Sequence, residues 1–121
     1  MTKRILVVED HEDNRQILRD LLGASGYEMV EAHDGAAALP TATAMKPDLI
    51  LMDIQLPLVD GYEATRRIKA DPALVHIPVI AVTSYALSGD EEKTRAAGCN
   101  GYIAKPFSPR QLLSKVREFV G

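Results

Sequence analysis

The sequence predicts an α/β domain in which helices cover both faces of a parallel β-sheet. Five strand-like segments alternate with five helix-like ones, and this alternation favours βαβ units with right-handed crossovers. The first, third and fourth of these segments are nearly unbroken apolar runs, typical of strands buried on both faces. The segments are residues 5–8, 28–31, 49–52, 79–82 and 101–104. With 121 residues, 46% of them hydrophobic, the chain is predicted to form one domain, 1–121.

The first half of the chain contains one irregular element. The first helix is expected to stop near Gly26, and the less apolar second strand is expected at an edge of the sheet. The next segment, 35–45, has a helical pattern but contains Pro40, which removes an internal hydrogen bond at a cost of about 3 kcal/mol. We therefore expect an irregular, kinked or shortened second helix.

The later helices carry clear boundary signals. Three pairs of residues have capping-box spacing. The pairs are Asp60 and Glu63, Ser88 and Glu91, and Ser108 and Gln111. Gly98 falls where the fourth helix should stop, and Pro109 falls at the first position of the fifth, where its missing N–H costs nothing. The fifth helix has one apolar face, which is expected to pack on the sheet. That face is made by Leu112, Leu113, Val116, Phe119 and Val120.

Composition excludes several classes of function. With 14 basic and 17 acidic residues the formal charge is −3, spread along the chain, so direct nucleic-acid binding is disfavoured. No apolar run approaches the length of a bilayer span, and no signal peptide is apparent. Cys99 is the only cysteine and is expected to be a small buried hydrophobe. We expect a soluble cytoplasmic protein.

Polar side chains stand at or just past the carboxyl ends of four predicted strands. They are Glu9 and Asp10, Asp53, Thr83 and Lys105. In an open parallel sheet this edge is where ligands bind. Each residue has an ordinary alternative role, such as a helix cap, a surface charge or a common strand residue. Their coincidence at four strand ends favours a functional site.

This group of residues suits phosphoryl transfer assisted by a divalent cation. Mg²⁺ accepts carboxylate oxygens and keeps several waters, so Asp10 and Asp53 are its expected direct ligands and Glu9 acts through water. Asp53 is the expected nucleophile. Lys105 and the hydroxyl of Thr83 would contact oxygens of the transferred group. The product would be a labile acyl phosphate, which suits a timed signal.

The chain resembles, from Met1 to Gly121, the receiver domain of two-component response regulators. The likeness is carried by ILVVEDHEDN, DLILMDIQLPLVDG, VIAVTSYA and GYIAKPF. It implies a flavodoxin-like three-layer sandwich with five helices and strand order 2-1-3-4-5. It also implies that Asp53 accepts phosphate from a histidine kinase or a histidine phosphotransfer protein. The protein would act in a phosphorelay, where it either changes partner binding or passes the phosphate to another histidine. It would be a switch more than an enzyme, although it would assist its own phosphorylation and dephosphorylation.

The resemblance implies further roles for single residues. The Lys105-Pro106 bond would be cis, and the backbone carbonyl of Gln55 would complete the metal site. The side chains of Gln55 and Tyr85 would flank the entrance and tune access of water. Thr83 would move toward the phosphate while Tyr102 turns inward. That movement would reshape the face formed by the fourth helix, fifth strand and fifth helix, and a downstream protein would bind there. The receiver itself would be a monomer or a weak dimer.

The chain departs from the common family pattern at a few positions. Glu9 as the first acid is a common alternative, but His11 after the acidic pair is open to two interpretations. It is either a solvated loop histidine or a group that joins the metal shell or donates a proton. His33 and His76 lie in predicted loops without ligand spacing.

Several other functions are compatible with parts of the pattern. A phosphatase of the haloacid-dehalogenase type would need a second aspartate where Gln55 stands, together with a cap insertion. A flavodoxin would need a hydroxyl- and glycine-rich loop after the first strand, and the acidic segment there would repel a phosphate. A stand-alone receiver is our leading interpretation, and a receiver fragment of a larger hybrid kinase is the alternative.

Overall fold

A computed structural model of the chain describes residues 2–84 and 90–121, in which five strands alternate with five helices. The strands are β1 (Arg4–Val8), β2 (Glu28–Ala32), β3 (Leu49–Asp53), β4 (Val79–Thr83) and β5 (Gly101–Ala104). The helices are α1 (Glu12–Ala24), α2 (Gly35–Met45), α3 (Gly61–Lys69), α4 (Asp90–Ala97) and α5 (Pro109–Val120). None of these described helices combines the length and the apolar character needed to cross a bilayer.

All strand pairs are parallel, and the sheet order is β2-β1-β3-β4-β5, as expected for a flavodoxin-like fold. β2 and β5 are the edge strands, in agreement with their weaker apolar patterns. β3 and β4 each extend one residue beyond the predicted end, because Asp53 pairs with Val82 and Thr83 pairs with Ala104. Two site residues are therefore fixed by the sheet itself.

Successive residues of the central strands point to two separate cores. In β1, Ile5 and Val7 face the core formed with α1 and α5, whereas Leu6 and Val8 face the core formed with α2 and α3. This alternation is the two-residue period of a strand, and it explains why the central strands are apolar at every position. The result is the predicted three-layer sandwich, with Leu112 and Val116 of the α5 apolar face fully buried.

The second helix is not shortened, so that part of our expectation for Pro40 is wrong. α2 runs from Gly35 to Met45 with Pro40 inside it, and Asp34 caps its start by accepting a hydrogen bond from the N–H of Ala37. Pro40 and Ala36 are both exposed, so the carbonyl of Ala36, which has no proline N–H to accept from, can be hydrated. Burial of alanines on the opposite side of α2 holds the helix in place.

Most of the predicted helix boundaries are confirmed. Gly26 and Gly98 follow α1 and α4 with φ of 87° and 104°, values that glycine adopts without strain. Ser108 and Gln111 form a complete capping box. Asp60 caps α3 by accepting a hydrogen bond from the backbone N–H of Glu63. The carboxylate of Glu63 accepts hydrogen bonds from Arg66 and Arg67 in place of the returning bond of a capping box.

Two remaining sequence expectations concern helix α4 and the cysteine beside it. The predicted cap at Ser88 lies outside the described residues. Cys99 is half-buried against the core of α2 and α3, and burial raises the pKa of its thiol. This agrees with an apolar role for the cysteine.

Candidate functional site

The carboxyl edge of the sheet brings two acidic side chains into contact with one basic side chain. Asp53 ends β3 and is only 4% exposed, and Glu9 follows β1 and is 3% exposed. Lys105 follows β5, and its Nζ lies 3.2 Å from Glu9 Oε1 and 3.3 Å from Asp53 Oδ2. One ammonium thus bridges two buried carboxylates, residues that are 96 and 52 positions away from it in sequence.

The pKa values of Asp53 and Glu9 are shifted in opposite directions. Burial, followed by the negative charge of Glu9, raises the pKa of Asp53 to about 6, although Lys105 opposes this. Burial also acts to raise the pKa of Glu9, but Lys105 and hydrogen bonds from its neighbours outweigh it and lower that pKa. Asp53 is therefore the carboxylate whose ionised form gains most from a further positive charge.

Gln55 connects Asp53 to Thr83 at the end of the neighbouring strand β4. Its backbone N–H donates to Asp53 Oδ1 at 3.1 Å, and its side-chain Nε2 donates to Thr83 Oγ1 at 3.2 Å. Its Oε1 accepts from the N–H of Ser84 at 3.3 Å. Thr83 is completely buried. The resemblance implied that the backbone carbonyl of Gln55 is a metal ligand and that its side chain flanks the entrance, whereas the structure also places this side chain on the hydroxyl of Thr83.

Residues of α1 and of the loop before it hold Glu9 from several sides. The backbone N–H of His11 and the Nδ2 of Asn14 donate to the Glu9 carboxylate at 3.2 and 3.3 Å. The buried guanidinium of Arg15 donates to the backbone carbonyl of Glu9 at 2.8 Å. Asp10 Oδ1 is buried and receives no hydrogen bond. Glu9 is firmly held, while Asp10 keeps an oxygen available for a ligand.

The residues at this edge fit a divalent cation. Lys105 pairs with the buried carboxylates of Glu9 and Asp53, and the partly exposed carboxylate of Asp10 lies beside that of Glu9, so the formal charge of these four side chains is negative. The oxygen of Asp10 that lacks a hydrogen bond is the kind of group that a hard cation binds. Among the described residues, the ligand atoms of Glu9, Asp10 and His11 lie within 4.8 Å of one another. Asp53 does not belong to that compact group, because its carboxylate is held by Gln55 and Lys105.

The remaining predicted residues occupy different places. The Lys105-Pro106 bond is cis, as the resemblance implies. Tyr102 is half-buried in β5 and pairs with Ala81, two residues before Thr83, so the structure does not bring it to Asp53. Tyr85 lies outside the described residues.

Sequence reasoning missed Gly61 and Arg15. A Cβ on Gly61 would lie 2.3 Å from the carbonyl oxygen of Asp53 and 2.7 Å from Cα of Ile54. Only glycine therefore allows α3 to begin this close to Asp53. Arg15 is 6% exposed, and it also pairs with Glu12 and Glu31. The only signal for Arg15 in the sequence was a charged residue three positions before Leu18, on the apolar side of α1.

The sequence that forms this edge of the sheet belongs to a longer match with a known family. A family model for the response regulator receiver domain matches residues 5–117. The chain belongs to this receiver family. The match decides against the haloacid-dehalogenase and flavodoxin alternatives, and it identifies the protein as a receiver domain of two-component signalling.

The curated relatives of this receiver are of its own length. The polar-differentiation response regulator DivK of Brucella ovis is 50% identical over 121 residues, covering 100% of this chain and 98% of the relative. DivK of Brucella anthropi is 49% identical with the same coverage.

Solved structures of receivers agree with the fold. The receiver domain of the sensor histidine kinase PA1611 of Pseudomonas aeruginosa, with a magnesium ion in its active site cleft, is 39% identical with a TM-score of 0.93, covering 100% of this chain and 99% of that one. The chemotaxis protein CheY4 of Vibrio cholerae is 27% identical with a TM-score of 0.93, covering 98% of this chain and 99% of that one.

Proposed function

We propose that this receiver is a phosphoacceptor switch in which Asp53 takes a phosphoryl group from a phosphohistidine in the presence of Mg²⁺. The observation that carries the proposal is the buried Asp53 carboxylate, 3.3 Å from the ammonium of Lys105 and beside the acidic pair. The magnesium ion reported for the receiver of the PA1611 kinase supports the choice of cation.

The side chains present suit an in-line transfer. A carboxylate oxygen of Asp53 attacks phosphorus, the bond between phosphorus and the imidazole nitrogen breaks, and the leaving nitrogen keeps the electron pair. The N–H of Gln55 holds Asp53 Oδ1, and Lys105 neutralises charge on the phosphoryl oxygens. The bound Mg²⁺ would add positive charge at the transferred group. Its ligands would be Asp10, Asp53 and the backbone carbonyl of Gln55, with Glu9 acting through water.

The surface beside Asp53 suits a protein donor. A cavity of about 580 Å³ leads to Asp53 and Lys105 and is lined largely by apolar side chains, among them Ile17, Leu18 and Phe107. Ile17 is 54% exposed, although it is a large apolar residue on α1. We propose that a histidine kinase or histidine phosphotransfer protein covers this apolar surface when its phosphohistidine reaches Asp53.

Output is proposed to leave through the face formed by α4, β5 and α5. Thr83 would leave the side chain of Gln55 and donate to the phosphoryl group, and Tyr102 would turn inward. A downstream protein would then bind this face of a monomer or weak dimer, without nucleic acid or membrane. The side chains of Gln55 and Tyr85 would set the access of water that ends the signal.

We also propose which kind of protein contains this receiver and in which compartment it acts. The 50% identity to DivK of Brucella ovis supports a receiver of the stand-alone type, whereas the likeness to the receiver of a sensor kinase supports the alternative, a receiver of a larger hybrid kinase. Because histidine kinases draw their phosphate from ATP, we place the receiver in the cytoplasm.

The acceptor assignment is tested by chemical phosphorylation. The full chain is incubated with Mg²⁺ and a small acyl-phosphate donor, and the intact mass is measured. We expect one phosphoryl group on the wild type and on Asp20→Asn, a control on the exposed side of α1. Asp53→Asn should gain none, since the amide is a poor nucleophile. Equal labelling of Asp53→Asn would show that another residue is the acceptor.

A further inference from the structure

His11 occupies the N-cap position of α1 but does not use its side chain as a cap. N-cap side chains usually accept a hydrogen bond from the first turn of the helix. The imidazole of His11 instead faces the acidic pair, with Nδ1 3.1 Å from Asp10 Oδ1 and 3.5 Å from Glu9 Oε2. Asp10 Oδ1 is buried and has no hydrogen-bond partner, so the approach of His11 Nδ1 is a close contact without a hydrogen bond.

The spacing of these atoms is that of neighbouring ligands of one cation. Ligands about 2.1 Å from an octahedral ion are about 3.0 Å apart when they occupy adjacent positions. The 3.1 Å between His11 Nδ1 and Asp10 Oδ1 matches this spacing. The imidazole side chain is 70% exposed, so it can adjust to an ion without disturbing the core.

We propose that His11 contributes a nitrogen ligand to the cation site and shifts its selectivity from Mg²⁺ toward transition-metal ions such as Co²⁺. This inference rests on the proposed function, because it takes the divalent cation of the acceptor site as given. Mg²⁺ favours oxygen ligands, whereas imidazole suits ions later in the first transition row. A nitrogen donor therefore strengthens binding of Co²⁺ much more than binding of Mg²⁺.

The two metals alone serve as probes. Dissociation constants of Mg²⁺ and Co²⁺ are measured by calorimetry for the full-length wild type, His11→Ala and His76→Ala, the last being an exposed histidine between α3 and β4. We expect His11→Ala to weaken Co²⁺ binding by about tenfold and Mg²⁺ binding by less than about twofold. His76→Ala should match the wild type for both ions.

A spectroscopic measurement separates ligation from an indirect effect. In protein labelled with ¹⁵N at histidine, the diamagnetic ion Zn²⁺ should shift the Nδ1 signal of His11 to the position of a metal-bound imidazole nitrogen and leave the ring signals of His33 and His76 unchanged. Equal effects on the three rings, or an unchanged affinity ratio in His11→Ala, would overturn the inference.

The outcomes distinguish this inference from the proposed function. If Mg²⁺ and Co²⁺ bind the wild type, Asp10→Asn weakens both and His11→Ala changes neither, the role of His11 is wrong and the cation site of the receiver stands. If neither ion binds the wild type, or Asp10→Asn has no effect on either, the cation site itself is wrong, and the inference falls with it.

Discussion

In the folded receiver without a metal, the ionised form of the Asp53 carboxylate is electrostatically disfavoured. Burial, together with the nearby Glu9, raises the pKa of Asp53 to about 6, and Lys105 compensates only in part. An ionised Asp53 therefore costs free energy that a cation, or conversion to an acyl phosphate beside that cation, can recover. The same unfavourable charge that reduces stability prepares the site for its ligand.

This cost predicts a pH-dependent gain in stability for Asp53→Asn. The pKa of Asp53 in the folded state, about 6, exceeds the value of about 3.9 for an unfolded aspartate, so the folded state binds more protons between these pH values. Stability is lost as the pH rises through this window. Without metal, the free energy of unfolding of Asp53→Asn should equal that of the wild type near pH 4. At pH 7.5 the free energy of unfolding of Asp53→Asn should exceed that of the wild type by about 3 kcal/mol, because each pKa unit corresponds to about 1.4 kcal/mol.

Urea unfolding in the presence of a chelator measures the difference. Asp20→Asn, which replaces an exposed carboxylate, should stay close to the wild type at every pH. A difference between Asp53→Asn and the wild type that is constant from pH 4 to pH 7.5 would contradict the raised pKa.

Gly61 is predicted to control the position of the acceptor through its lack of a side chain. In Gly61→Ala the new Cβ would meet the carbonyl oxygen of Asp53 at 2.3 Å, so the backbone must move. We expect a loss of about 2 kcal/mol in urea unfolding, together with slower phosphorylation. The control is Gly23→Ala in α1, where a Cβ meets no atom within 4 Å, and it should stabilise by about 0.5 kcal/mol. Similar effects of the two substitutions would contradict the proposed close approach.

At the scale of elements, α2 tolerates an internal proline at a cost that can be measured. Pro40 is exposed, so Pro40→Ala removes no packing while it restores an N–H for the carbonyl of Ala36. Loss of the rigid ring also frees the unfolded chain, which offsets part of the gain. We expect a net increase of about 1–2 kcal/mol in the free energy of unfolding.

The control for this prediction is another proline in the same chain. Pro109 stands at the first position of α5, where its missing N–H has no helical partner to lose. Pro109→Ala should change stability by less than about 0.5 kcal/mol. If Pro40→Ala is equally neutral, the lost hydrogen bond in α2 carries no net cost.

Elements with local signals were predictable, and features that depend on tertiary contact were not. The alternation of strand-like and helix-like segments predicted all five strands, and because the ends of parallel strands meet at one edge it also predicted that Glu9, Asp53 and Lys105 lie together. The continuity of α2 through Pro40 depends on burial of its other side, which the local penalty does not describe. The bond between Gln55 and Thr83 joins residues 28 positions apart, and no periodicity in the sequence indicates it.

At the scale of the whole molecule, the sheet links the acceptor to the proposed output face. Thr83 pairs with Ala104, its carbonyl accepts from the N–H of Lys105 at 2.7 Å, and Tyr102 lies two residues before Ala104 in β5. Beyond β5, a cavity of about 310 Å³ lined by Tyr102, Arg95 and Lys115 separates α4 from α5. A displacement of Thr83 would therefore reach β5 through backbone hydrogen bonds, and the cavity beyond β5 would leave room for Tyr102 to move.

Thr83→Ala is predicted to separate phosphorylation from this readout. The substitution leaves Asp53, Lys105 and the acidic pair in place, so the phosphoryl group should still be accepted. Without the hydroxyl, phosphorylation should alter amide hydrogen exchange in β5 and α5 by less than about half of the wild-type change. Thr43→Ala is the matched control, because its hydroxyl donates only to Leu39 within α2, and it should respond as the wild type does. If Thr83→Ala shows the full change in exchange on phosphorylation, the signal leaves Asp53 by a route that does not pass through this hydroxyl.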